Sequence, residues 1–108
     1  MNSKPGCDPV AITLRVIGGK WKPLILWVLR EEVLRFGEVK KQITGITQKM
    51  LTQQLRELET DGIISRQVFP EVPPRVEYRI TAYGKSLQPI LQSMCDWGIT
   101  HKSRQNHA

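Results

Sequence analysis

The residues that would mark an enzyme, a metalloprotein or a membrane protein are scarce in this 108-residue chain. There are two cysteines, Cys7 and Cys95, neither in CxxC spacing, and two histidines, His101 and His107, close to the end. Cys95, His101 and His107 are separated by five-residue gaps on a tail segment, too loosely placed for a zinc set, so no metal site is expected. Gly18-Gly19-Lys20 has the look of a phosphate loop but lacks its requirements. Leu14 stands where the first glycine belongs, and Trp21 follows the lysine in place of Ser or Thr. No nucleophile-base pair is visible either, so neither an enzyme nor a cofactor is expected. Nowhere is there a run of about 18 apolar residues or a charged-then-apolar leader. A cytoplasmic protein with reduced thiols is the reading that follows.

What the chain does have is basic charge and a single core's worth of apolar residues. Its length suits one domain, residues 1–108, burying about two thirds of its extended surface, so a second copy would help stability. A net charge of +6 favours an anionic partner. The charge is uneven, however. Residues 47–81 carry five basic and five acidic residues, residues 1–46 eight against four, and the remainder three against one. Total charge therefore does not locate a binding face.

The informative stretch is 36–81. A short helix at about 37–43, with Gly37 at its N-cap, leads through a turn at Gly45 to a second helix at about 47–60. Thr47 caps the second helix, and Gly62 lies just past its end. Leu51, Leu55 and Leu58 form its buried stripe. Lys49, Thr52, Gln53 and Arg56 lie at i, i+3, i+4 and i+7 on the other side, a face of hydrogen-bonding groups with no acid. Glu57, Glu59 and Asp61 cluster towards the far end. Arg and Lys can donate to guanine, Gln can pair with adenine, and Thr can touch a thymine methyl or a phosphate. A polar stripe opposite a leucine stripe also describes any surface helix, so the context has to decide. After Gly62, residues 64–68 and 76–80 alternate as two half-buried strands. The prolines of Pro70-Glu71-Val72-Pro73-Pro74-Arg75 force a stiff tip between them. Two helices followed by such a hairpin make a winged helix-turn-helix, a mainly α fold with a small antiparallel β-wing, α+β in class. Lys49, Thr52, Gln53 and Arg56 are the expected base readers of double-stranded DNA, with Gln48 at the groove edge. Arg75, Lys40 and Lys41 are the expected backbone contacts, the two lysines equally readable as a solvated surface. A winged-helix protein-interaction module that never touches DNA is the alternative.

Around this unit, residues 1–6 read as a flexible leader. Asp8-Pro9 starts a helix to Ile17, although residues 10–16 also alternate as a strand would. Residues 20–31 form a helix apolar nearly all round, hence central, with Pro23 tolerated in its first turn. Arg35-Phe36 is expected as a brief third strand. A last helix, 82–104, starts near Thr81 and is expected to bend at Pro89. It carries Leu87, Ile90, Leu91, Met94 and Gly98 on one face, with Tyr83 and Trp97 at its edges. That is more apolar surface than one small domain uses, which points to a partner chain.

Gly18-Gly19-Lys20-Trp21, the run 34–39, Lys49 to Glu59 and Pro70 to Tyr78 together resemble the HxlR-type winged helix-turn-helix transcriptional regulators, over nearly the whole chain from Cys7 to about Trp97. Glycine at position 37 departs from the serine usual there. The resemblance implies a sequence-specific DNA-binding regulator, a homodimer joined through helices 8–17 and 82–104, and an inverted-repeat operator. It also implies that Cys7 is a possible sensor of oxidants or electrophiles. A thiol just before a helix N-terminus, with Lys4 nearby and Asp8 opposing, is compatible with that role. Cys95 is expected near the dimer interface.

Overall fold

The computed structural model describes residues 8–106. The order of elements is α1 (Asp8–Ile17), α2 (Trp21–Leu29), β1 (Leu34–Arg35), α3 (Phe36–Gln42), α4 (Gln48–Thr60), β2 (Ile64–Phe69), β3 (Arg75–Ile80), a 3₁₀ turn (Gly84–Leu87) and α5 (Gln88–Asn106). The sheet is antiparallel with strand order β1-β3-β2. Leu34 pairs with Tyr78, Ile64 with Ile80 and Phe69 with Arg75.

Ile25, Leu26 and Leu29 of α2 are sealed against Val39, the leucine stripe Leu51, Leu55 and Leu58, and Ile64 at the sheet base. The helix expected to be central is central, and Pro23 lies in its first turn. Burying the three α4 leucines contributes about 1.5–3 kcal/mol each, which seats α4 with its polar side outward.

Several boundaries differ from the sequence reading. The third strand is Leu34–Arg35, one residue earlier than expected. Its end is also the N-cap of α3, so Arg35 and not Gly37 occupies that position. Glu38 is the reason: its Oε1 accepts the Arg35 amide at 2.8 Å, which requires Glu38 to be the third residue of the helix. The wing strands alternate in burial only near the core, where Ile64 and Ile80 are sealed. Val68 is 54% exposed, because the hairpin stands clear of the helices beyond Tyr78.

The last helix also starts later than expected. Thr81 accepts the Gly84 amide at 2.9 Å, and its hydroxyl hydrogen faces the carbonyls of Gly62 and Ile63. This pins a 3₁₀ turn before α5 begins at Gln88. Pro89 therefore falls in the first turn of α5, where its missing amide is harmless. The helix is continuous to Asn106, and Pro89 stands at its start rather than inside it, where the bend was expected. The Gln88 side-chain Nε2 donates to the Arg30 carbonyl at 2.7 Å and ties α5 to the end of α2. Among the described residues, no helix is long and apolar enough to cross a membrane.

Candidate nucleic-acid interface

The turn between α3 and α4 reverses at Gly45, whose φ of +87° favours glycine. Thr47 then caps α4: its Oγ1 accepts the Met50 amide at 3.1 Å. At the other end Gly62 has φ +76°, as a residue ending a helix in the left-handed region does. These two ends fix the length and rotation of the rod that carries the expected base readers.

Gln48, Lys49, Gln53 and Arg56 are exposed and Thr52 is half-buried, and together they border one shallow surface. Thr52 donates its hydroxyl hydrogen to the Gln48 carbonyl at 2.8 Å, so what it offers outward is acceptor capacity and a methyl group. Lys49 and Arg56 make no ion pair among the described residues. Their charges are available. Lys40 and Lys41 are exposed in the last turn of α3 and likewise carry no ion pair among the described residues.

The expectation of an acid-free face needs correction. Glu57 borders the same surface, one turn after Gln53, and accepts from Gln53 Nε2 at 3.3 Å. Lys22 answers it: this α2 side chain is buried and its Nζ lies 2.5 Å from Glu57 Oε1. The Lys22 hydrogen bond, then the one from Gln53, then the charge of Lys22, hold the Glu57 carboxyl below its ordinary value of 4.5. Glu57 is thus ionised and paired, its charge drawn towards the scaffold. Sequence reasoning overlooked Lys22, although a signal existed. It is the single cation inside an otherwise apolar helix, and a buried ammonium requires a partner.

Arg75 sits differently from the other cations. Its guanidinium lies over the Phe69 ring at 4.0 Å and within 3.3 Å of Glu71 and 3.5 Å of Glu77, so much of its charge is matched inside the wing. Arg66 pairs with Glu59 at 3.5 Å. The cleft between α4 and the wing is lined by Gln48, Thr52, Arg56, Arg66 and Tyr78. Burial pushes the Tyr78 phenol up from its ordinary value, so it stays a neutral hydrogen-bonding group in that cleft.

Cys7 lies outside the described residues, as does the expected leader 1–6. Cys95 is a free, half-buried thiol beside an apolar groove formed by Pro23, Leu24, Trp27, Leu91 and Met94 between α2 and α5. Val10 and Leu14 of α1 and Met94 and Trp97 of α5 are exposed. Trp97 stacks on His101 with ring centroids 4.8 Å apart.

Comparison with known proteins gives a consistent picture. An uncharacterised HTH-type transcriptional regulator of Methanothermobacter thermautotrophicus is 52% identical over 99 residues, covering 92% of this chain and 76% of that protein. The HTH-type regulator YtcD of Bacillus subtilis is 55% identical over 95 residues, covering 88% and 75%. Among solved structures, the redox regulator HypR in its reduced form superposes with a TM-score of 0.86 at 45% identity, covering 93% of this chain and 99% of HypR. Its oxidised form gives 0.82 at 49%, covering 85% and 95%. Residues 16–106 match the HxlR-like helix-turn-helix family, and the chain is a member of it.

Proposed function

We propose that this protein is a sequence-specific DNA-binding transcriptional regulator that works in the cytoplasm as a homodimer on an inverted-repeat site. The observation that carries this reading is α4, capped by Thr47, seated by three leucines and turned so that Lys49 and Arg56 are exposed with no ion-pair partner among the described residues. A helix so presented fits the major groove. Lys49, Thr52, Gln53 and Arg56 would face base edges, with Gln48 at the groove margin. Lys40 and Lys41 at the end of α3 would hold phosphates, and Arg75 would do so from the wing by loosening its hold on Glu71 and Glu77.

The dimer reading rests on α1 and α5, residues 8–17 and 82–104 of the sequence division. Val10 and Leu14 lie one helical turn apart on α1, and Ile90, Met94 and Trp97 follow one another on α5, all exposed in the single chain. Pairing these helices about a twofold axis would set two α4 helices on successive major grooves, about 34–36 Å apart.

Titration of a labelled duplex at several salt concentrations tests the DNA reading. Log affinity should fall linearly with log salt as phosphates are neutralised; a flat response would refute it. HypR is described as a redox regulator, which supports a thiol-based signal here, with Cys7 as its seat. Mild oxidant should then lower operator affinity, and a Cys7→Ser protein that responds as the unaltered one does would remove that role.

A further inference from the structure

Two carboxylate oxygens of one acid link the scaffold to a base-reading amide. Glu57 Oε1 faces the buried Lys22 Nζ at 2.5 Å, and Glu57 Oε2 faces Gln53 Nε2 at 3.3 Å. An ammonium only donates and a carboxylate only accepts. The Gln53 amide, which could otherwise turn through 180° at little cost, therefore keeps its nitrogen towards Glu57 and its oxygen on the other side. We infer that Lys22 and Glu57 are positioning residues that set the polarity of Gln53 and thereby choose the base it reads. The inference rests on the reading that α4 enters the major groove.

The consequence for recognition follows from the base edges. An outward amide oxygen meets the exocyclic amine of adenine or of cytosine. With the second, unused N–H of Gln53 it matches adenine N6 and N7 together. Guanine offers only the acceptors N7 and O6 there, and thymine offers O4, so both oppose a leading oxygen. Adenine is the expected first choice opposite Gln53 and cytosine the second. The arrangement also accounts for the presence of an acid beside a DNA-facing surface. Its charge is balanced from behind by α2, so it orients Gln53 without presenting an unpaired charge to phosphates.

The polarity can be reversed. In Glu57→Gln, Lys22 can only donate, so it would take the new amide oxygen and leave the new amide nitrogen facing Gln53. Gln53 would then have to turn its oxygen inward and its nitrogen outward, which suits guanine or thymine. In Lys22→Met/Glu57→Gln, nothing fixes the amide at position 57, and Gln53 is free to turn either way.

The experiment is selection of bound duplexes from a random pool with the full chain, using Gln53→Ala to identify the base position that residue 53 reads. The unaltered protein should prefer adenine over guanine there by roughly tenfold. Glu57→Gln should move the preference to guanine or thymine, and the double variant should bring adenine and guanine within about twofold. A role confined to holding α2 against α4 would weaken all duplexes alike and leave the preferred base unchanged. That result in Glu57→Gln overturns the inference, as does a Gln53→Ala pool with no altered position. If Glu57→Gln fails to fold, the unaltered protein still decides, because guanine or thymine opposite Gln53 contradicts the assignment. A pool that the unaltered protein does not enrich at all refutes the DNA-binding reading itself, and is recognised before any variant is compared.

Discussion

Arg56 and Lys40 separate the two kinds of contact a DNA-bound form would make. Arg56→Ala should cost about 1–3 kcal/mol on the selected site and relax preference at one base, whereas Lys40→Ala should weaken all duplexes alike and reduce the salt slope by about one. Titrating both variants on the selected site and on random duplex distinguishes them; equal losses for Arg56→Ala on the two would remove its base-reading role. At Glu57 the prediction concerns pH. Its carboxyl lies below 4.5 in the folded chain, so the contribution of its pairing is fully present above that value and is lost as pH falls through the lowered one. In acid titrations followed by circular dichroism, the unaltered protein and Glu57→Gln should differ above pH 4.5 and converge at more acid pH. That Lys49, Gln53 and Arg56 share one exposed face could be read from the sequence, because they are i, i+4 and i+7 on a single capped helix. Lys22 could not be placed so directly. Its partner is 35 positions away, and that pairing depends on how α2 crosses α4.

At the scale of elements, local chemistry decided what could be foreseen. Thr47 and Gly62 mark the ends of α4 in the sequence, and both act there in the structure. Thr47→Ala should therefore cost about 1 kcal/mol in urea unfolding, within a range of about 0.5–2. An unchanged midpoint would mean that the cap is dispensable. The start of α5 was less legible: Thr81 accepts the Gly84 amide ahead of a 3₁₀ turn, and α5 itself begins only at Gln88. That turn passes so close to the chain after α4 that a Cβ on Gly84 would sit 2.1 Å from the Ile63 carbonyl oxygen. Gly84→Ala should destabilise the fold by more than about 1 kcal/mol and loosen the wing's attachment to α5, measurable as a lower thermal midpoint. The wing strands misled for a related reason. Alternation in the sequence predicts a face, but only tertiary placement shows that Ile64 and Ile80 are buried at the base of the hairpin while Val68, nearer its tip, is exposed.

The whole molecule is less compact than its length suggests. Its radius of gyration is 16.0 Å against about 13 Å for a 100-residue globule, and its extents are 51 × 42 × 25 Å. Most of the large apolar residues in solvent lie on α1 and α5: Val10, Ile12 and Leu14 on the first, Ile90, Met94, Trp97 and Ile99 on the second. If these form the dimer, Leu14→Glu with Met94→Glu should reduce the light-scattering mass from two chains to one and sharply lower affinity for an inverted repeat, with helix content nearly unchanged. A mass that stays at two chains with the changes would place the interface elsewhere, and a mass of one chain without them would remove the dimer. The fold class was legible because capped amphipathic helices and a proline-tipped hairpin are local features. The balance of charge on the α4 face was not, because it is settled between α2 and α4.

The central claim is that the outward side of α4 reads bases, and selection from a random duplex pool by the unaltered chain and by Arg56→Ala tests it most directly. The account predicts that the unaltered chain enriches one inverted repeat with half-sites about one helical turn apart, and that Arg56→Ala loses preference at one symmetric pair of positions. An enriched sequence identical for the two proteins, or no enrichment by either, would contradict it.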